Sequence, residues 1–458
     1  MVLERGDKQG HVLIISHDVV GTQMAGPGIR YYHLARVLAR EFEVILAVPA
    51  ESTLQSSQDF AVLPYRPDEK TVLEETARGA RAVLVPAIWL AQVPSLVRSS
   101  VPLIIDGYDP FLAETLSLQV GETNQLQCVL SQACLAGDFF ICASGRQRDW
   151  WLGLLEAHGR INSRTFGEDP SLRRLVDVVS FGLPNLPPQR TRRVIREIWP
   201  GVGEEDRVIL WGGGLWPWLD PLTAIRAMAR LWQYRQDVRL IFPGTRHPNP
   251  EMAWIPTHNE AALQAARELG LLDRAIFFGE WIPYADWPNV LLESDMALTL
   301  HYDTLETRLA FRSRVLDCVW AGLPVVATRG DATSELVAKY DIGVVVDYED
   351  VDGVAEAILR LLEMPRETLD ERFEKARREL TWERVAWPLV ECCPHPRRAP
   401  DKVALGRDLG NPFYLGEIAR LRDDVDRLHT LVEGYERGRF IRLMRRVNEW
   451  RRIAWRRE

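Results

Sequence analysis

Between Glu306 and Asp317 the chain places two carboxylates and three arginines, Arg308, Arg312 and Arg314, directly ahead of an Ala-Gly-Leu-Pro turn and a Val-Val run. Guanidinium forks match phosphate oxygens two at a time, and the start of a helix adds free N–H groups and a positive dipole end. A helix beginning near Glu306 to Phe311 therefore reads as a cradle for a diphosphate. Asp317, two to three turns in, is spaced to accept hydrogen bonds from two adjacent hydroxyls, as on a ribose. Gly322 ends the helix and Pro324 forbids its continuation. A plainer account stays open: Arg314 and Asp317, three apart, pair on a surface.

Other residues of this kind follow apolar runs. Gly26 and Gly28 flank Pro27 after one run, and Gly212, Gly213 and Gly214 follow another. Such glycines let backbone approach a ligand, although an ordinary turn explains Gly26 and Gly28 equally well. Arg30 and His33 come next on the helix that Gly28 opens, and His33 is expected to pack. Asp106, Tyr108 and Asp109 follow Pro-Leu-Ile-Ile. A carboxylate there is suited to orienting an acceptor hydroxyl or offsetting developing oxocarbenium charge.

The elements that must position these groups are legible as alternation. Runs at 11–16, 42–49, 81–86, 102–107 and 138–144, and again at 207–213, 238–244, 275–281, 295–301, 323–328 and 343–348, are rich in Val, Ile, Leu and Phe. Continuous apolar runs separated by helical segments indicate buried parallel strands. Between them, 183–207 is rich in proline and charge and reads as a linker. The fold class expected is α/β, with two doubly wound Rossmann-like halves facing a cleft, and ligands beyond the carboxyl ends of the strands.

At 458 residues, 47% apolar and 26% charged, the chain exceeds a single core and reads as globular. No long uninterrupted apolar run and no signal peptide is evident, so a cytoplasmic location is expected. The six cysteines show neither metal spacing nor a secreted framework; no metal is expected. The net charge of -8 is uneven: 436–458 holds nine arginines against three glutamates, leaving -14 for the rest. That disfavours a nucleic-acid partner for the body and favours a local anionic partner at the tail.

In the tail, Ile418, Leu421, Val425, Leu428, Val432 and Tyr435 alternate by three and four. This suggests a parallel coiled-coil homodimer through 415–435, or else a helix packed on its own body. Beyond it Phe440, Leu443, Met444, Val447, Trp450 and Ala454 share one helical stripe among arginines, with Trp455 beside it. Such a helix fits an anionic membrane surface, or packing on the acidic body.

The stretch LDCVWAGLPVVAT resembles the LEAMACGLPVVAT-type segment of nucleotide-sugar-dependent GT-B glycosyltransferases, especially the retaining family 4. Similar likenesses lie in GPGIRYYHLARVLAREFEVILAVP, VVSFGLP at 178–184 and VILWGGGLWPWLDPLTAIRAMARL. The resemblance implies an acceptor domain at 1–185, a nucleotide-sugar domain at 186–398 and a helical tail at 411–458. It places Asp317, one methylene shorter, where the family has its ribose-binding glutamate. The family's partner glutamate falls on Leu309, with Glu306 the nearest carboxylate. An arginine and lysine usual in the first loop of the second domain are replaced by 212–220, so the arginines at 308, 312 and 314 take over the diphosphate charge. Asp106 and Asp109 stand where many members carry a His-Asp pair facing the reacting sugar.

The function implied is transfer of a hexose, with retention, from a nucleoside diphosphate sugar to a surface-glycan acceptor, lipid-linked, at the inner face of the membrane. The donor is substrate, and no cofactor is expected. A sugar-nucleotide 2-epimerase of the same architecture and a non-catalytic membrane-associated scaffold are the alternatives.

Overall fold

The structure, a computed structural model, describes residues 10–66, 71–118, 123–245, 255, 257–404, 421, 425 and 427–432. Two parallel sheets organise residues 10–401. The first comprises β1 (His11–Ile15), β2 (Val44–Pro49), β3 (Ala61–Tyr65), β4 (Ala80–Pro86), β5 (Leu103–Asp106), β6 (Phe139–Cys142) and β7 (Val176–Val178), in the order β3-β2-β1-β4-β5-β6-β7. The second comprises β8 (Arg207–Trp211), β9 (Val238–Phe242), β10 (Ile276–Phe278), β11 (Met296–Thr299), β12 (Val325–Thr328) and β13 (Gly343–Val346), in the order β10-β9-β8-β11-β12-β13.

Apolar residues on both faces explain why these runs are central strands. Val12, Leu13, Ile14 and Ile15 of β1 and Val208, Ile209 and Leu210 of β8 are all fully buried. In each sheet the order reverses beside the first strand, between β1 and β4 and between β8 and β11. That reversal opens a crevice at the carboxyl ends. The loops after β1, β5, β8, β11 and β12 carry the residues of interest there.

Two strands escape the apolar-run reading. β3 is an edge strand with Pro64 inside it, tolerated because an edge leaves the missing N–H without consequence. β7 ends at Val178, so the segment 178–184 is mostly loop, and Leu183 then bridges to Thr381.

The proline-rich segment 183–207 is anchored rather than loose. The buried Glu293 carboxylate accepts the backbone N–H of Ile195 at 2.8 Å and of Arg196 at 3.0 Å, and pairs with Arg190 at 3.1 Å. The chain also returns to the first half earlier than the 186–398 division implies. From Thr381 onward it packs on that half: Trp382 stacks on His33 at 5.0 Å, Leu183 N–H donates to Leu380 O at 2.9 Å, and Ala399 N–H donates to Asp138 at 2.9 Å. The apolar side chains of Trp382, Ala386, Leu389, Val390 and Cys393 are buried by this return.

Within 411–458 only 421, 425 and 427–432 are described, and these are helical. Ile418 and Tyr435 of the heptad pattern, and the whole basic stripe at 436–458, lie outside the described residues. No helix among the described residues is long and apolar enough to cross a membrane.

The returning segment is locked by a buried ion pair, Arg160 to Asp401 at 2.6 Å, with both side chains fully buried. Removing one partner strands the other charge in the interior. Asp401→Ala should therefore lower unfolding stability by about 3 to 5 kcal/mol in urea titration. A loss no larger than the ~1 kcal/mol of an exposed pair would show that the anchor lies elsewhere.

Candidate functional site

Where the first half meets the second, the short helix Leu305–Leu309 packs against the helices Phe111–Leu118 and Gly145–Ala157. Gln147 ties the two halves directly, its amide donating to Tyr108 O on one side and to Leu309 O at 2.7 Å on the other. Arg146 adds donations to Gly330 O and the Glu335 carboxylate. On the opposite flank Tyr284 N–H donates to Thr22 O at 2.8 Å, and the Tyr284 hydroxyl meets His33 Nε2 at 2.8 Å. The halves are closed on each other. His33 is a packed histidine, and burial pushes its pKa down to about 3.

The helix expected to begin at 306–311 is in fact two. Leu305–Leu309 is capped by the Thr304 hydroxyl, which accepts from Thr307 N–H at 3.1 Å; the chain is extended at Ala310, and a second helix runs Arg314–Ala321. That break sends the three arginines to three environments. Arg308 is mostly exposed, 3.4 Å from Asp303. Arg312 is buried and grips both oxygens of Glu306 at 2.7 and 2.6 Å. Arg314 opens the second helix, donates to Asp317 Oδ2 at 2.9 Å and lies over the Trp287 ring at 4.4 Å. Trp287 Nε1 donates to the same Asp317 oxygen at 2.8 Å. Arg312 and Arg314 thus face the junction already paired, and Arg308 stands apart.

The glycine loops converge on the start of the Arg314–Ala321 helix. A Cβ on Gly26 would stand 3.8 Å from Ser313 Oγ, and one on Gly212 would stand 3.8 Å from the Arg314 Cβ. Gly28, two residues on in the same helix, has a packing role, since a Cβ there would sit 2.3 Å from Val19 O. Gly213 adopts φ +150, which side-chain-bearing residues rarely tolerate, and Gly214 abuts the Trp216 ring.

On the first half, Asp106 is fully buried and occupied by Arg30, at 2.7 and 3.0 Å, so its carboxylate forms the floor beneath the junction rather than its surface. Asp109, three residues on, is half-buried and lies near Glu114. Burial, with Glu306 and Asp106 nearby, raises Asp109 to about 6. Burial together with the Asp109 and Glu306 charges raises Glu114 well above the ordinary carboxylate range.

Across from them, His301 at the end of β11 is 1% exposed and has no hydrogen-bond partner on either ring nitrogen; Asp331 Oδ2 is 3.7 Å away. Burial, then the Arg312 charge, lowers it to about 4. Glu114, Gln147, Trp287, His301 and Asp331 were not singled out in the sequence. Each sits alone in its own element, with no short-range motif to mark it. Among the described residues, no group of three or more metal-ligating side chains is assembled. A groove of about 860 Å³ runs along the β10 edge past Trp199, Phe278 and Ile282.

Residues 206–364 match the family described as Glycosyl transferases group 1. That segment is similar to the family, and the two parallel-sheet halves share the GT-B fold of solved glycosyltransferases. HepE of Anabaena, solved with UDP and glucose, superposes with a TM-score of 0.62 at 16% identity, over 84% of this chain and 99% of that one. Chitobiosyldiphosphodolichol beta-mannosyltransferase of Debaryomyces hansenii is 29% identical over 102 residues, 22% of this chain and 21% of that protein. A putative glycosyltransferase, YtcC of Bacillus subtilis, is 26% identical over 181 residues, 39% and 41% of the two chains. The chain therefore spans about a fifth and two fifths of the curated relatives it matches. Within this GT-B frame, the loops after β1 and β8 and the Arg314–Ala321 helix face one another across the junction of the two sheets.

His301 stays neutral in the fold down to about 4, whereas an unfolded histidine titrates near 6.5. Between those values the unfolded chain binds the extra proton, so stability falls as pH drops through that window. His301→Gln should flatten the fall by up to about 1.4 kcal/mol per pH unit in urea titrations compared at pH 7 and pH 5. Equal slopes in the two proteins would show that His301 is protonated in the fold.

Proposed function

We propose that the protein transfers a hexose from a nucleoside diphosphate sugar to a growing surface glycan on a lipid carrier, with retention of configuration. The observation that carries this reading is the convergence of the Gly26 and Gly212 loops on the start of the Arg314–Ala321 helix, where Ser313 makes no side-chain cap bond. The positive end of that helix's dipole and the adjacent guanidinium of Arg314 suit diphosphate oxygens. Asp317, a turn further, suits the ribose hydroxyls. When the anomeric bond breaks, the charge gained by the leaving diphosphate is stabilised by that helix start and by Arg312 and Arg314. The UDP and glucose named for HepE support UDP-hexoses as the first donors to try. The chitobiosyldiphosphodolichol named for the mannosyltransferase supports a lipid-linked acceptor.

A second reading, a scaffold derived from a glycosyltransferase, is favoured by one observation: Arg312 and Arg314 are already paired with Glu306 and Asp317. Incubation with a panel of nucleotide sugars, with and without lipid-linked acceptor, separates the readings. Release of nucleoside diphosphate only with acceptor supports transfer, and no release from any donor supports the scaffold. Isomerisation of the donor without acceptor would point to an epimerase.

The tail serves this function as a peripheral membrane anchor and dimerisation segment. Leu421, Val425, Leu428 and Val432, each about half exposed, support pairing with a second copy. Deleting 436–458 should abolish sedimentation with anionic liposomes while nucleotide affinity is retained; a truncated protein that still sediments contradicts the anchor.

Asp317→Ala should weaken nucleoside diphosphate binding by roughly 1 to 3 kcal/mol in calorimetry if its carboxylate holds the ribose. Unchanged affinity rejects that role.

A further inference from the structure

The two strand-order reversals are lined by different chemistry. At the second, between β8 and β11, the Gly212 loop and Arg314 stand together, which suits an anion. At the first, between β1 and β4, aromatic rings gather instead. His17 follows β1, Trp89 follows β4, and Phe111 opens the helix after β5. Centroid to centroid, the His17 ring stands 5.9 Å from Phe111, 5.9 Å from Tyr31 of the helix Gly26–Leu38 and 6.4 Å from Trp89. Tyr65, at the end of β3, backs Trp89 at 6.4 Å. Elements remote in sequence thus deliver their rings to one place, outside the carboxyl ends of the strands.

Packing alone does not account for this cluster. His17, Trp89 and Phe111 remain partly exposed, whereas Tyr31 and Tyr65 beside them are buried. His17 Nδ1 and Trp89 Nε1 are shielded from solvent without a hydrogen-bond partner. Buried nitrogens of these rings ordinarily find one. The torsion that joins each ring to its Cβ is soft, so a modest rotation turns either nitrogen toward the crevice. The surface therefore offers ring faces together with unused polar edges, and the indole edge can only donate. A pyranose has the matching form, because its axial C–H bonds make an apolar face while its hydroxyls surround the rim.

Charge narrows the class of sugar. The Asp18 and Asp106 charges act on His17, and Asp109 lies just ahead of Phe111. The Arg30 guanidinium is already held by Asp106 at 2.7 and 3.0 Å. Burial lowers the His17 pKa, so the imidazole adds no positive charge at neutral pH. A uronic acid or sugar phosphate placed here would meet carboxylates without a free cation to offset it. Position fits as well: the helix that begins at Phe111 packs against Leu305–Leu309 of the second half, which keeps a sugar on this surface close to the junction.

Resting on the transferase reading, we infer that this crevice is the subsite for the acceptor's terminal sugar and that it selects an uncharged pyranose. Trp89 and Phe111 cover the apolar face of the sugar, and His17 and the Trp89 N–H hold hydroxyls at its rim. His17 and Trp89 position the acceptor and take no part in bond making.

The test uses the full chain. Saturation-transfer NMR with methyl glucoside, galactoside and mannoside, each compared with its methyl uronide, reads binding without turnover. At least one neutral pyranoside should receive saturation on its ring protons, and its uronide about tenfold less. Trp89→Leu and His17→Ala should remove that signal, while Trp89→Phe, which keeps a ring face, should retain it. No saturation on any neutral pyranoside, or equal saturation on the uronides, overturns the inference. With the donor and acceptor found active in the panel, Trp89→Leu should raise acceptor KM about tenfold and leave donor KM within about twofold. Equal rises in both constants, the mark of a merely structural role, overturn it. Unchanged acceptor KM in an active Trp89→Leu enzyme overturns the subsite and leaves the transferase reading standing. Saturation that depends on Trp89, in a protein that releases no nucleoside diphosphate from any donor, leaves the sugar site standing and overturns the transferase reading.

Discussion

Glu306, Asp331 and Glu114 act on one guanidinium, Arg312, and the junction of the two halves is built on how that imbalance is resolved. Arg312 answers Glu306 with a two-point grip, the geometry in which arginine is strongest. Asp331 turns inward to cap its own helix, accepting from Ser334 N–H at 2.6 Å, and takes the Thr333 hydroxyl at 2.7 Å. For Asp109 and Glu114, burial beside these acids pushes both carboxyls toward their neutral forms. Full ionisation of all four would place several negative charges in a poorly solvated space, at a cost that one guanidinium does not offset.

The contacts that join the halves are mostly neutral or backbone-directed: Gln147 to Leu309 O, Tyr284 N–H to Thr22 O, and the Tyr284 hydroxyl to His33. Each is worth about 1 kcal/mol net, because separation returns its groups to water.

The sheet architecture was legible because burial on both faces forces strands to be apolar throughout, and β1, β2, β4, β5, β6 and β8 to β13 all fall on such runs. β3 was missed because an edge position relaxes that demand and admits Pro64, and β7 because three residues carry too little pattern. The site was legible only where chemistry is local in sequence. The Arg314 to Asp317 pair spans three residues and was visible as spacing. Trp287 on Asp317 spans thirty, and Glu114 meets Glu306 only because a helix after β5 faces one after β11. The two-helix break at Ala310–Ser313 was hidden for a related reason. Periodicity continues through the break, while Thr304 capping a five-residue helix lets Arg312 turn back onto Glu306.

In the proposed ribose-binding role, Asp317 would serve with a side chain one methylene shorter than the glutamate of the family it resembles. Loss of a methylene shortens reach, and a carboxylate free to swing would spend its binding energy on being ordered. Here Trp287 Nε1 and Arg314 both fall on Oδ2, and the guanidinium is itself held flat over the indole. Two charge-assisted contacts on one oxygen fix the carboxylate plane and leave Oδ1 outside both of them. In the proposed role, such an acid would bind a diol by being already in place rather than by reaching for it, so the ligand would come to the helix face. The glycine loops after β1 and β8, which keep side chains away from the start of that helix, are the feature that makes so close an approach sterically affordable.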